Sequence, residues 1–301
     1  MQKYIGIFLV LIIFTSSCKS KFEDGQFNFD EIEQPVLEPI SPNARATGKK
    51  GFAITSSSPR WSTKLSSMKA HWYYSWGNKF QDLKPENVEF VPMQWGKWNL
   101  NEENIARLKK LKDEGKIHYL LGYNEPDGEK QANMSVDEAI ALWPKLEEVG
   151  LPLGSPAVVG MTNEWIIEFM EKANEKGLRV DFMAVHSYGG ANSTGFINNL
   201  KDNYNLFGKP IWITEFAVAD WTAESPEDNR FNPEQILKFM QEVLPQLEEL
   251  DFVERYTWFS FGQESSAGTH SALYDADGTL TPLGQYYADF EPNLNIGPGK
   301  D

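Results

Sequence analysis

From Gly51 onward, short apolar runs alternate with longer amphipathic segments, and this alternation limits the available folds more than any single motif does. Runs at 52–55, 72–75, 88–93, 117–123, 151–155, 182–186, 211–214 and 256–259 have the length and composition of strands. Between them, 102–114, 135–149, 163–176, 196–203 and 232–250 carry helical periodicity. Ser135 and Glu138 form a capping box ahead of Ala139, Ile140, Leu142 and Trp143, while Gly115 and Gly177 fall where helices end. Short apolar runs alternating with longer amphipathic segments predict an α/β fold with parallel strands. Eight strands within 51–295 suit a (β/α)8 TIM barrel, whose usual length is roughly 250 residues. The competitor is a doubly wound sheet. That fold often carries a glycine-rich phosphate loop after its first strand, and the run Thr-Ser-Ser-Ser-Pro at 55–59 does not resemble one. The short gap between the first two strands predicts an incomplete outer ring of helices.

The first fifty residues are a separate device. Lys3 precedes an apolar run from Ile5 to Phe14 that is too short to span a bilayer comfortably. Small residues then lead to Cys18, the chain's single cysteine, which has no internal disulfide partner. The arrangement resembles the lipobox of bacterial lipoproteins, with Cys18 as the lipidation site; an ordinary secretory signal is the simpler alternative. The expected organisation is a signal peptide at 1–17, a flexible proline-containing tether at 18–50, a barrel at 51–295 and a tail at 296–301. The corresponding location is a bacterial outer-membrane or cell-surface lipoprotein, periplasm-facing or outward-facing, anchored in the membrane through Cys18. A net charge of −15 argues against nucleic acid and against anionic polysaccharides as partners. What remains is an acidic protein, expected to be monomeric, acting on an uncharged polysaccharide or oligosaccharide.

Two of the apolar runs end in a carboxylate. Residues 119–127 read Tyr-Leu-Leu-Gly-Tyr-Asn-Glu-Pro-Asp, and Pro126 biases Glu125 towards an extended backbone. Residues 209–216 read Lys-Pro-Ile-Trp-Ile-Thr-Glu-Phe and end similarly at Glu215. Taken singly, either glutamate is satisfied by a structural ion pair. Together at strand ends, they are what acid/base or nucleophilic chemistry on a glycosidic bond requires. In a barrel, functional groups collect at the carboxyl ends of the strands. Trp76, Trp95, Asn124, His186, Tyr188 and Trp258 all fall there, a combination of aromatic faces and hydrogen-bonding groups suited to sugar rings. A lone tryptophan or histidine at such a position is commonly core. Trp143, Trp165 and Trp212 are assigned to the core, and Glu147, Glu148, Glu248 and Glu249 to solvated helix faces.

Other chemistries lack their residues. The four histidines, His71, His118, His186 and His270, show no metal-ligand spacing, and no cofactor or metal is expected. There is no Gly-x-Ser-x-Gly elbow. Three alternatives stay open: a related hydrolase of another neutral β-glycan, a surface glycan-binding protein without turnover, and a purely structural barrel.

The stretches at 121–127 and 212–216, together with Trp-Tyr-Tyr-Ser-Trp-Gly at 72–77, Val-Pro-Met-Gln-Trp-Gly at 91–96 and Asp-Phe-Met-Ala-Val-His at 181–186, resemble glycoside hydrolase family 128. The Asn-Glu-Pro stretch alone indicates only clan A of retaining glycosidases; the 91–96 block narrows the resemblance to the family. It implies a (β/α)8 barrel hydrolysing β-1,3-glucan with retention, Glu125 as acid/base and Glu215 as nucleophile. Loop lengths and cleft closure decide between internal cleavage, the expected mode, and attack from a chain end. The chain departs from the family at Ser187, where members often carry Trp, and the polar stretch 220–230 has no clear counterpart.

Overall fold

The structure, a computed structural model, describes residues 48–301. The expected signal peptide, Cys18 and most of the tether lie outside the described residues. Six regular strands are present among the described residues: β1 Gly51–Ala53, β2 Trp72–Tyr74, β3 Glu89–Phe90, β4 Met183–Gly189, β5 Ile211–Val218 and β6 Val253–Trp258. They form two three-stranded parallel sheets, ordered β1-β2-β3 and β4-β5-β6. The helices are α1 Trp61–Ser67, α2 Glu102–Asp113, α3 Val136–Glu147, α4 Glu164–Glu175, α5 Ser193–Phe207, α6 Pro233–Glu249 and α7 Pro282–Asp289.

The expected strands at 117–123 and 151–155 are not regular strands. They contribute isolated parallel bridges instead: Met93 with Leu121, Leu120 with Leu153, and Gly154 with Phe182. A further parallel bridge joins Lys50 to Tyr256. Pro152 removes a ladder donor from the 151–155 segment, and Pro156 removes another directly after it. Gly154 lets the Phe182 ring lie where a β-carbon would stand, 2.5 Å from the nearest ring atom. The short α1 fills the narrow gap after β1, as expected. It has no side-chain cap of its own; the Asp301 carboxylate accepts the Ser62 and Thr63 N–H groups at 2.8 and 2.9 Å. The expected tail at 296–301 therefore packs along this helix. α3 carries the Ser135–Glu138 capping box, and α6 carries a second one from Asn232 and Gln235.

Side chains sort by strand parity into two cores. Tyr73, Ile213 and Phe216 join the large cluster with the helices, whereas Trp72, Tyr74, Tyr119, Leu121, Phe182 and Trp212 form a smaller one drawn from both sheets. Beside this aromatic cluster the buried Arg255 guanidinium lies 4.2 Å from the Trp212 ring centre and 4.5 Å from that of Tyr119, while pairing with Glu89 at 2.6 Å. An unpaired guanidinium here would be costly; the carboxylate and the ring faces together offset its desolvation.

The folded unit also starts before Gly51. Lys49 Nζ donates to the carbonyls of Leu247, Glu248 and Leu250 at the end of α6. Lys50, fully buried, does the same for Tyr287, Ala288 and Phe290 at the end of α7. Each ammonium satisfies carbonyls that have no partner within their helix and sits at the negative end of its dipole. Lys50→Met keeps the apolar stem but strands three carbonyls, and is expected to cost about 3 kcal/mol. Urea unfolding measures this, with a smaller loss for the half-buried Lys49→Met.

Candidate active site

Glu215 reaches its position through a β-bulge. Along β5, Trp212 belongs to the inner cluster and Ile213 to the outer, so simple alternation would turn Glu215 outward. Instead the register shifts: Val185 pairs with Ile213 but His186 pairs with Glu215, leaving Thr214 unmatched. Against β6 the same two residues, 214 and 215, face only Thr257 between the Ile213–Tyr256 and Phe216–Trp258 pairs. The extra residue re-aims Glu215 into the cleft. The Thr214 carbonyl is taken up by the Tyr74 hydroxyl at 2.9 Å and by the Thr257 hydroxyl.

Glu125 is presented differently. It was expected to be extended, but its φ is 42°, in the left-handed region that non-glycine residues seldom occupy. Tertiary hydrogen bonds override the local preference. Glu125 N–H donates to Ala157 O at 2.6 Å, Asn124 N–H to Trp95 O at 2.9 Å, and Gly128 N–H returns to Glu125 O at 2.9 Å. Trp76 is likewise left-handed, with φ 52°. Backbone outliers of this kind cost on the order of 1–3 kcal/mol and persist where surrounding contacts impose them.

The two carboxylates and His186 converge: one ligand atom from each lies within 4.8 Å of the other two. His186, wholly buried on β4, places Nδ1 3.0 Å from Glu125 Oε1 and Nε2 3.5 Å from Glu215 Oε1. Glu215 Oε1 accepts Trp76 Nε1–H at 2.7 Å and the Tyr74 hydroxyl at 3.1 Å, while Oε2 accepts the Tyr188 hydroxyl. This is the one trio of acidic and imidazole groups among the described residues with metal-ligand proximity. Burial disfavours the His186 cation, but the Glu215 and Glu125 carboxylates outweigh that cost and hold its pKa above the ordinary value. Tyr74 and Tyr188 are pushed well above the usual phenol range, first by burial and then by Glu215, so both act as donors.

A cleft of about 1230 Å³ opens over the pair, lined by Trp76, Trp95, Asn124, Tyr188, Phe259 and Phe261 among others. Of the residues expected to contact sugar, Trp76, Trp95, Asn124 and Tyr188 thus border the cleft. His186 instead lies beneath the glutamates, with no exposed surface. Trp258 is a correction. It is fully buried on the outer face of β6, its indole N–H donating to Ser271 O and its ring packed against Phe216 and Phe239. It offers no face to a ligand, and Phe259 and Phe261 occupy the cleft wall in its stead. Tyr74 was missed, although it shares strand parity with Trp72 and Trp76. Trp221, in the polar stretch 220–230, also lines the cleft. No periodicity pointed to it.

A sequence profile described as the glycosyl hydrolase catalytic core matches residues 51–287. Alkali-sensitive linkage protein 1 of Schizosaccharomyces pombe is 30% identical over 254 residues, which cover 80% of this chain and 44% of that protein. The chain thus spans less than half the length of this curated relative. Among solved structures, a GH128 (subgroup I) endo-β-1,3-glucanase from Amycolatopsis mediterranei in complex with laminaripentaose is 33% identical. Its TM-score is 0.69, over 80% of this chain and 98% of that one. A GH128 (subgroup II) endo-β-1,3-glucanase from Pseudomonas viridiflava is 32% identical, with a TM-score of 0.64 over 80% and 97% of the two chains.

Because the His186 pKa is raised on folding, its ionic contribution to stability is fully present below about pH 6.5 and is lost as pH rises through the higher folded value. The stability difference between the native protein and His186→Gln is therefore expected to be larger at pH 5.5 than at pH 8.5 by urea unfolding. An equal difference at both would remove the ionic role.

Proposed function

The chain belongs to the glycosyl hydrolase catalytic core family, glycoside hydrolase family 128, and on that premise we propose that it hydrolyses β-1,3-glucan with retention of configuration. The observation that carries this reading is the close approach of the two carboxylates over the cleft floor, within 4.8 Å through one oxygen of each. Retaining glycosidases place the pair about 5–5.5 Å apart, whereas inverting ones need roughly 6.5–9.5 Å to admit a water.

In the proposed reaction Glu215 attacks the anomeric carbon while Glu125 gives its proton to the departing glycosidic oxygen. Glu215 then holds the sugar as an ester. Water, losing a proton to Glu125, attacks the anomeric carbon and frees the Glu215 carboxylate. The assignment of nucleophile rests on hydrogen bonding: Glu215 accepts from Trp76 and Tyr188 and shares the single Tyr74 O–H with the Thr214 carbonyl, an environment for an ionised acceptor, whereas Glu125 has the His186 ring alone among side-chain partners. Trp76, Trp95, Asn124 and Tyr188 are proposed to contact the substrate, and His186 to orient the pair from beneath.

Internal cleavage is proposed from the likeness to endo-acting relatives. We further infer that the two sheets and the isolated bridges trace one ring of eight parallel strands, since each successive neighbour is paired and Lys50 meets Tyr256. Export with a lipid anchor on Cys18 rests on the amino-terminal sequence.

Incubation with linear β-1,3-glucan, with the anomer of the first-formed product read by NMR, tests the central claim. First-formed products whose new reducing end is the β-anomer are expected, and α-anomeric first products or no release would sink it. Glu215→Ala is expected to abolish turnover while keeping glucan affinity. Glu125→Gln is expected to lower turnover by about 10²–10⁴-fold on glucan, and less on a substrate with an acidic phenol as leaving group.

A further inference from the structure

Two side-chain hydroxyls converge on one backbone carbonyl beside Glu215. The Tyr74 hydroxyl lies 2.9 Å from Thr214 O, and the Thr257 hydroxyl donates to the same oxygen. Thr214 is the residue that the bulge leaves unmatched against β4. The same Tyr74 oxygen lies 3.1 Å from Glu215 Oε1. A phenol has a single proton, so these two acceptors compete for it. Tyr74 and Thr257 have no exposed surface, and bulk water reaches neither hydroxyl. The Tyr74 ring is held in place, near-parallel to Trp72 with ring centres 6.2 Å apart and 5.1 Å from the Trp76 ring centre. The oxygen therefore stays where it is, and what can change is the direction of its O–H. Burial, and then the Glu215 charge, keep the phenol protonated, so it acts throughout as a donor.

The carboxylate is the stronger acceptor while it carries its charge, and the carbonyl is the nearer one. Which of them wins depends on how well Thr214 O is satisfied without Tyr74, and the side chain that satisfies it is Thr257. We propose that the Tyr74 proton turns between Glu215 and the Thr214 carbonyl, and that Thr257 is the positioning residue that leaves it free for Glu215. The inference rests on the proposed function for the role of Glu215 as nucleophile; the competition for the proton rests on the geometry. No proton changes owner: the O–H turns about the C–O bond and stays on the phenol. In the proposed cycle the Glu215 charge is lost when the ester forms and regained when it is hydrolysed. A donor with one acceptor would be left facing a weakened partner in the ester. Tyr74 has the Thr214 carbonyl to turn to, and turns back when the carboxylate is freed. Thr257 thus acts on the nucleophile from β6, a strand that gives Glu215 no donor of its own among the described residues.

The test uses the full chain as native protein and as Tyr74→Phe, Thr257→Val, Thr257→Ala, Thr257→Ser and the double variant Tyr74→Phe with Thr257→Val. Two readouts are followed from about pH 4 to pH 8: kcat/KM on linear β-1,3-glucan, and titration of the Glu215 carboxyl by carbon-13 NMR, assigned with Glu215→Gln. A carboxylate that loses a donor is protonated more readily, so the loss falls on the acid side. Glu125, His186 and Tyr188, the other titratable groups around Glu215, and Asp127 beyond His186 are the same in every form. Tyr74→Phe is expected to lower kcat/KM about tenfold at pH 4.5 and much less at pH 7, with the carboxyl titration moved to higher pH. Thr257→Val and Thr257→Ala should move both readouts the same way by a smaller amount, because Thr214 O then draws the Tyr74 proton. Thr257→Ser keeps the hydroxyl and should restore the acid side. Thr257→Val should add nothing to Tyr74→Phe, since no proton is left to withdraw, whereas structural damage would add to it and lower activity at every pH. An unmoved carboxyl titration in both Thr257→Val and Thr257→Ala, or an equal shift with and without the Tyr74 hydroxyl, overturns the inference and leaves the proposed function standing. A native protein that does not cleave the glucan, with the titration shifts present, overturns the proposed function and leaves the proton competition standing.

Discussion

A carboxylate with 5% of its surface exposed, as Glu215 has, can remain ionised only if donors surround it. Tyr74 and Trp76 come from the end of β2 and Tyr188 from β4, so the donors are split between the two sheets. The site therefore exists only when both sheets face it. Tyr74 makes the dependence tighter, because its hydroxyl also holds the Thr214 carbonyl that the bulge displaces from the ladder. The bend that aims Glu215 and the donor that receives it are coupled through one phenol. The geometry of the candidate site and the assembly of the strands thus rest on the same set of hydrogen bonds.

Much of the outline was legible because local and tertiary preferences agree in most places. The helices with strong apolar stripes and capping residues, α2, α3, α4 and α6, fall close to where periodicity put them. Agreement failed where tertiary contacts outweigh local signals. α1 borrows its cap from Asp301, 239 positions from Ser62, and no window of sequence contains both. Residues 117–123 and 151–155 have the composition of strands, but glycines and prolines leave only single bridges there. The family and the two glutamates were readable from short motifs. Their backbone geometry was not, since a bulge and a left-handed pre-proline residue both contradict the pattern that surrounds them.

The aromatic residues show the same limit from another side. Position at a strand end suggested Trp258 as a cleft residue, but parity and the neighbouring bulge turn it outward against α6. Trp221, in a loop with no periodic signal, takes a place in the cleft instead. Composition identifies which rings are available; only the register identifies which of them meet solvent.

The lysine pair at the start of β1 has a kinetic consequence. Lys49 and Lys50 make their bonds to residues 198 to 240 positions away, so neither can be satisfied until nearly the whole chain has been synthesised. Contacts of such separation carry a large loop-closure entropy and slow the search for the native state. The first strand and its apolar neighbours must wait while the last two helices are made. The bonds that close the start of β1 against α6 and α7 are thus among the most non-local in the described structure.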